Sequence, residues 1–138
     1  MAREIYKPEQ ISAELDALLP QFNKGSSTPI PKELAMSILM TENMDKDGNV
    51  SFQNAVSPAG AQGVGQVMPG TLQLLKKAGF LPADFPDDLT KAPVRQQVQA
   101  SLAAMKEIVS RIKSTDPDKV GANYNASPRA TQKFMETG

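Results

Sequence analysis

From residue 8 onward the apolar positions fall at helical spacing. Ile11, Leu15, Leu18 and Leu19 share one face of a helix that Pro8 opens, predicted over about residues 8–19. Residues 20–31, from Pro20 to Pro31, are rich in Gly, Ser, Thr and Pro and read as a loop. A second helix starts at Pro31 or Lys32 and runs to about Asn43. Glu33, Ser37 and Thr41 form one polar stripe, and nearly everything else from Leu34 to Met40 is apolar. Such a helix is expected to be buried on most sides, at the centre of a core. Residues 44–69 are irregular, apart from a hint of two-residue alternation over Asn49–Phe52. A short helix opens at Gly70 or Thr71 and stops at Gly79, and residues 80–92, with Pro82 and Pro86, return to loop.

Pro93 opens the longest helix, to about Lys113, along the stripe Val94, Val98, Leu102, Met105, Val109 and Ile112. Asp116 is a good N-cap, with Pro117 behind it, for a helix through about Ala126, and a last short helix follows Pro128. The pattern predicts a mainly α chain with long loops and at most a small β-hairpin. Residues 1–30 form an N-terminal helix and linker packing on a body of residues 31–138.

Composition narrows the chemistry. The 138 residues suffice for one domain with a real core, and 40% are apolar, too many for a disordered chain. No apolar run approaches the roughly 20 residues of a membrane span. Lys+Arg and Asp+Glu both number 15, with no basic stripe, so nucleic acid is not expected as a partner. The absence of histidine and cysteine removes Ser-His-Asp catalysis, thiol catalysis, disulfides and sites built on His or Cys ligands. Carboxylates, Lys and Tyr are left for acid–base work. The polar start, Met-Ala-Arg-Glu-Ile-Tyr-Lys-Pro, is not a signal peptide. Either the protein does not use that export route or its leader is missing from this sequence.

Glu42 ends the second helix off its polar stripe, beside Ala35, Ile38 and Leu39. Partial burial and the negative end of the helix both disfavour its carboxylate, as a general acid requires. The alternative is a frayed helix end with Glu42 in water. Downstream, residues 57–69 read Ser-Pro-Ala-Gly-Ala-Gln-Gly-Val-Gly-Gln-Val-Met-Pro. Gly60, Gly63 and Gly65 either form turns or let the backbone approach a ligand, with Ser57, Gln62 and Gln66 supplying hydrogen bonds. No strand precedes them and no Gly-Lys-Ser/Thr follows, so they are not a phosphate loop.

Three blocks carry a family resemblance: Leu34-Ala-Met-Ser-Ile-Leu-Met-Thr-Glu42; Asn54 to Thr71 around the glycine-rich loop; and Ala122-Asn-Tyr-Asn-Ala126. In this order they resemble the soluble lytic transglycosylase domain, of goose-type lysozyme-like fold, over about residues 31–130. The resemblance implies a peptidoglycan-cleaving enzyme that needs no cofactor. A single glutamate, here Glu42, protonates the glycosidic oxygen between N-acetylmuramic acid and N-acetylglucosamine, and the substrate's N-acetyl group assists. The glutamate then takes the C6 hydroxyl proton as a 1,6-anhydro ring closes. It also implies that Ser57 contacts the N-acetyl region, that Gln66 and the backbone around Met68 line the glycan groove, that Tyr124 hydrogen-bonds near Glu42, and that Asn125 supports that corner. Without the motif, Tyr124 reads as an ordinary core aromatic. Asn43 replaces the family's usual Ser after the glutamate, and Ser127 replaces its usual Gly.

About seven extra residues lie between Glu42 and Phe52. Asn43, Asp45, Asp47 and Gly48 resemble the start of an EF-hand loop, but position twelve is Asn54 rather than Glu. Asp45 and Asp47 are the candidate calcium carboxylates; a turn closing a small hairpin over the cleft is the stronger expectation, with no metal bound. If Asp45 or Asp47 instead held a water at the cleft, the enzyme would be a hydrolytic muramidase. The departures at Asn43 and Ser127 also leave open a non-catalytic virion structural or glycan-binding module of the same fold. The lack of an export signal favours a phage virion protein that opens the wall, with other virion proteins or further domains as partners. A bacterial periplasmic enzyme without its leader is the alternative.

Overall fold

The computed structural model describes residues 4–125. The predicted helix after Pro128, and Ser127, lie outside the described residues. The chain runs β1 (Ile5–Tyr6), α1 (Pro8–Asn23), α2 (Lys32–Glu42), β2 (Phe52–Gln53), α3 (Pro69–Lys77), a 3-10 turn (Leu89–Lys91), α4 (Val94–Ile112) and α5 (Pro117–Asn125). Proline punctuates every helix start. It occupies the first position of α1, α3 and α5 and the N-cap of α2 and α4, where its missing N–H costs nothing.

α1 is longer than its apolar pattern predicts and continues through Pro20 to Asn23. Tertiary bonds outweigh the proline. The Lys106 ammonium donates to the Phe22 carbonyl at 2.6 Å, and Asn23 exchanges two side-chain bonds with the Ile30 backbone at 2.9 and 2.7 Å.

The deeply embedded helix is α4, not α2. Gln97, Val98, Ala100, Ser101, Leu102, Ala103, Met105 and Ile108 are fully buried, so α4 is enclosed beyond its predicted stripe. Ala100, Ser101, Ala103 and Ala104 are small enough to let neighbouring segments close on its other faces. α2 buries one face only, through Leu34, Ala35, Ile38 and Leu39, and leaves Met40 39% exposed. The apolar side chains of α1, α2, α3, α4 and α5 meet in one cluster. Among the described residues no helix is long and apolar enough to cross a membrane.

The strands are minimal. β2 pairs antiparallel with β1, in the register Ile5 to Gln53 and Tyr6 to Phe52. A partner from the N-terminus escaped the sequence reading because two residues carry no period. The inserted segment closes separately, through a bridge between Met44 and Val50.

Candidate active site

Glu42 is the last residue of α2 and is half-buried. Burial pushes its carboxyl above the ordinary glutamate value. With Ser37, Ile38 and Thr41 of α2 it lines a depression of about 70 Å³, whose opposite wall is Pro117, Gly121, Tyr124 and Asn125 of α5. The structure therefore brings Glu42, Tyr124 and Asn125 together. Among the described residues, Glu42 is the only ionisable carboxyl lining this depression.

Tyr124 is buried. Its hydroxyl donates to the Gly65 carbonyl at 2.5 Å and lies 2.8 Å from the Ser101 hydroxyl. With its one proton spent on Gly65, Tyr124 accepts from Ser101. Burial, and then the nearby Glu42 charge, push the phenol well above its ordinary value, so it stays a neutral hydrogen-bonding group. Its bonds hold the glycine-rich loop, while Glu42 sits within its electrostatic reach.

A β-carbon at Gly65 would lie 2.5 Å from Ser101 Cβ and 2.6 Å from Ser101 Oγ. Only glycine fits there, and the close approach is to α4. Gly63 instead has φ +76, a left-handed backbone that glycine tolerates. Beside it, Val64 N donates to the buried Gln97 carboxamide oxygen at 3.0 Å, while Gln97 Nε2 donates to Tyr6 and to the Ala92 carbonyl.

Ser57 and Gln66 fasten the loop to itself. The Ser57 hydroxyl accepts from Ala61 N at 3.0 Å. Gln66 is held at φ +52, and its Nε2 donates to the carbonyls of Ala55 and Gly63 at 3.0 and 2.8 Å. Gln62 reaches outward and accepts from Leu89 N at 3.0 Å. Met68 is half-buried and caps α3, its carbonyl accepting from Leu72 N at 2.9 Å. Ser57, Gln66 and Met68 do not line the Glu42 depression.

Asp45 and Asp47 are exposed in the inserted turn. Asp45 Oδ1 accepts from the backbone N of Asp47 and of Asn49, both at 2.9 Å, and these bonds, led by the Asn49 amide, hold its carboxyl below the usual range. The described residues contain no cluster of three His, Cys, Asp or Glu able to hold a metal.

Gln97 and Ser101 are absent from the sequence-predicted site. Their signal was present: two polar residues four apart on a helix otherwise apolar at that face.

No family model matches the sequence, and no curated protein matches it. In three dimensions the chain is similar to the 70 kDa soluble lytic transglycosylase of Escherichia coli, with a TM-score of 0.62 and 21% sequence identity. The superposition covers 88% of this chain and 18% of that one, so this chain matches less than a fifth of that enzyme's length. The likeness establishes the fold, mainly α and lysozyme-like with a small two-stranded sheet, as the sequence predicted.

Proposed function

We propose that this chain cleaves peptidoglycan glycan strands as a lytic transglycosylase, with Glu42 as its sole acid and base. The observation that carries the reading is the placement of Glu42: half-buried, raised in pKa, and facing Tyr124 across a depression that no second carboxylate lines among the described residues. Retaining and inverting glycosidases pair two carboxyls about the scissile bond. A lone acid fits a route in which the substrate supplies the second group.

In that route Glu42 gives its proton to the bridging oxygen as the C1–O bond breaks, and the neighbouring N-acetyl oxygen bonds to C1. The carboxylate left behind takes the C6 hydroxyl proton while the C6 oxygen attacks C1 and displaces the N-acetyl oxygen, closing the 1,6-anhydro ring and restoring both the acid and the free N-acetyl group. Water is neither consumed nor released. The depression, about 70 Å³, is too small for a sugar ring, so the strand would lie across its mouth. Tyr124 and Asn125 form the wall behind the acid.

The enzyme would meet its substrate in the cell wall, brought there by a virion or exported to the periplasm. Detection of the chain in purified phage particles separates these settings. The activity itself is tested on purified walls. Wild type is expected to lower their turbidity, and Glu42→Gln to lose about a hundredfold or more of that rate while keeping its helical circular dichroism. Undiminished clearing by the variant contradicts the assignment.

A further inference from the structure

Asn43, the residue after Glu42, commits every polar group it has to other parts of the chain. Its backbone N donates to the Met40 carbonyl at 3.1 Å, and its own carbonyl accepts from Ser51 N at 2.9 Å. Its side-chain Nδ2 donates to the carbonyls of Leu39 at 2.7 Å and Val64 at 2.8 Å, while Oδ1 accepts from Gln53 N at 3.2 Å. Three segments converge on one carboxamide: the last turn of α2, the glycine-rich loop and β2.

The chemistry suits asparagine alone among small side chains. The Leu39 carbonyl belongs to the last turn of a helix, where carbonyls lack intrahelical donors. Asn43 N serves Met40 instead, so the Leu39 oxygen needs another donor. A carboxamide offers two N–H groups and one acceptor at a single centre. One N–H closes the helix, as an ordinary cap does. The second reaches Val64, 21 residues on, which stopping a helix does not require.

We infer that Asn43 is a positioning residue for Glu42: its carboxamide locks the end of α2 against Val64 and Gln53, so that the glutamate faces the depression shared with Tyr124 and the inserted segment 44–50 is footed away from it. A serine has one proton and a shorter reach and can serve only one of the two carbonyls. The catalytic consequence rests on the proposed role of Glu42; the positional claim rests on the hydrogen bonds.

Among the described residues, the polar groups facing Glu42 are Ser37 and Thr41 of α2 and Tyr124 and Asn125 of α5. Only Tyr124 among them is titratable, and it is neutral far above the glutamate range. The Glu42 titration therefore reports its own position.

The test follows the Glu42 carboxyl carbon by NMR through a pH titration, in wild type, Asn43→Ala and Asn43→Ser, alongside melting curves and wall-cleavage kinetics. Wild type is expected to titrate above ordinary glutamate. In Asn43→Ala the midpoint falls back toward the ordinary value, and kcat drops about 10- to 100-fold with KM little changed. Asn43→Ser is intermediate. A lowered melting temperature with an unmoved Glu42 midpoint overturns the inference and leaves Asn43 a helix stop. If Asn43→Ala does not fold, the serine variant decides by the same readout. If neither folds, wild type decides, because rapid solvent exchange of the Asn43 Nδ2 protons contradicts the two bonds to Leu39 and Val64. Uncut walls with the titration displaced as described would refute the proposed activity and leave the positioning intact.

Discussion

Two polar, glycine-bearing stretches flank Phe52, and in sequence neither has a period. In the structure they are opposites. Residues 44–50 are largely exposed and held by short-range bonds: Asp45 N to the Asn49 carbonyl, Gly48 N to the Asp45 carbonyl, and two amides on the Asp45 carboxylate. Residues 57–69 bury Gly63, Val64, Gly65 and Val67, and bond to Asn43, Leu89, Gln97 and Tyr124 far away in the chain. One stretch is a surface turn. The other is core made of backbone, and glycine is what admits it. The comparison teaches that the proposed glycan groove is ordered by distant elements, α4 and α5 among them, in addition to the bonds its own Ser57 and Gln66 make.

Substitution at equivalent-looking glycines should break or sharpen this contrast. Gly65→Ala drives a methyl into the Ser101 Cβ and is expected to cost about 3 kcal/mol in urea unfolding. Removing the obstacle with Ser101→Gly in the same chain should recover part of that loss. Tyr124→Phe leaves the Gly65 carbonyl without its donor and Ser101 without its acceptor, for a loss of about 1–3 kcal/mol. Gly48→Ala should cost only about 1 kcal/mol, because its φ of +86 is unfavourable to alanine but the space around it is empty. Wall cleavage by Gly48→Ala should equal wild type. Equal costs at Gly48 and Gly65 would dissolve the distinction between the two stretches.

The smallest expected effect is one of pH. Glu42 has a folded-state pKa above its unfolded value, so the folded chain holds this proton more tightly. Its contribution to stability therefore declines as pH rises from the ordinary glutamate value through the raised one, and is unfavourable above both. Glu42→Gln should melt higher than wild type at neutral pH and should not at low pH. Activity, which needs the protonated acid, should fall across the same upper limb.

The helices were legible because their apolar spacing and opening prolines are local. Pro8, Pro93 and Pro117 marked starts within a residue or two, and the helix expected from Gly70 or Thr71 begins at Pro69. What misled was burial: the apolar run Leu34–Met40 suggested a central helix, yet Met40 is substantially exposed. Hydrophobicity does not say which helix other helices will surround, whereas the small residues of α4 permitted its enclosure. Of the candidate site, Glu42, Tyr124 and Asn125 were named from the sequence and share one depression. Ser57 and Gln66 were named as groove contacts, but their hydrogen bonds run within the loop. Gln97 and Ser101 showed in the sequence only as polar residues on an apolar helix face; their partners Val64 and Tyr124, like Val64 and Gln53 for Asn43, lie at least 10 residues away and no window of sequence displays them.

The most direct test of the central claim is the mass of the muropeptides released from purified peptidoglycan by the wild-type chain, with Glu42→Gln as control. The account predicts 1,6-anhydro products, lighter by one water than hydrolytic ones, and none from Glu42→Gln. Products at the hydrated mass would contradict the lone-acid mechanism, and cleavage surviving in Glu42→Gln would contradict Glu42 itself.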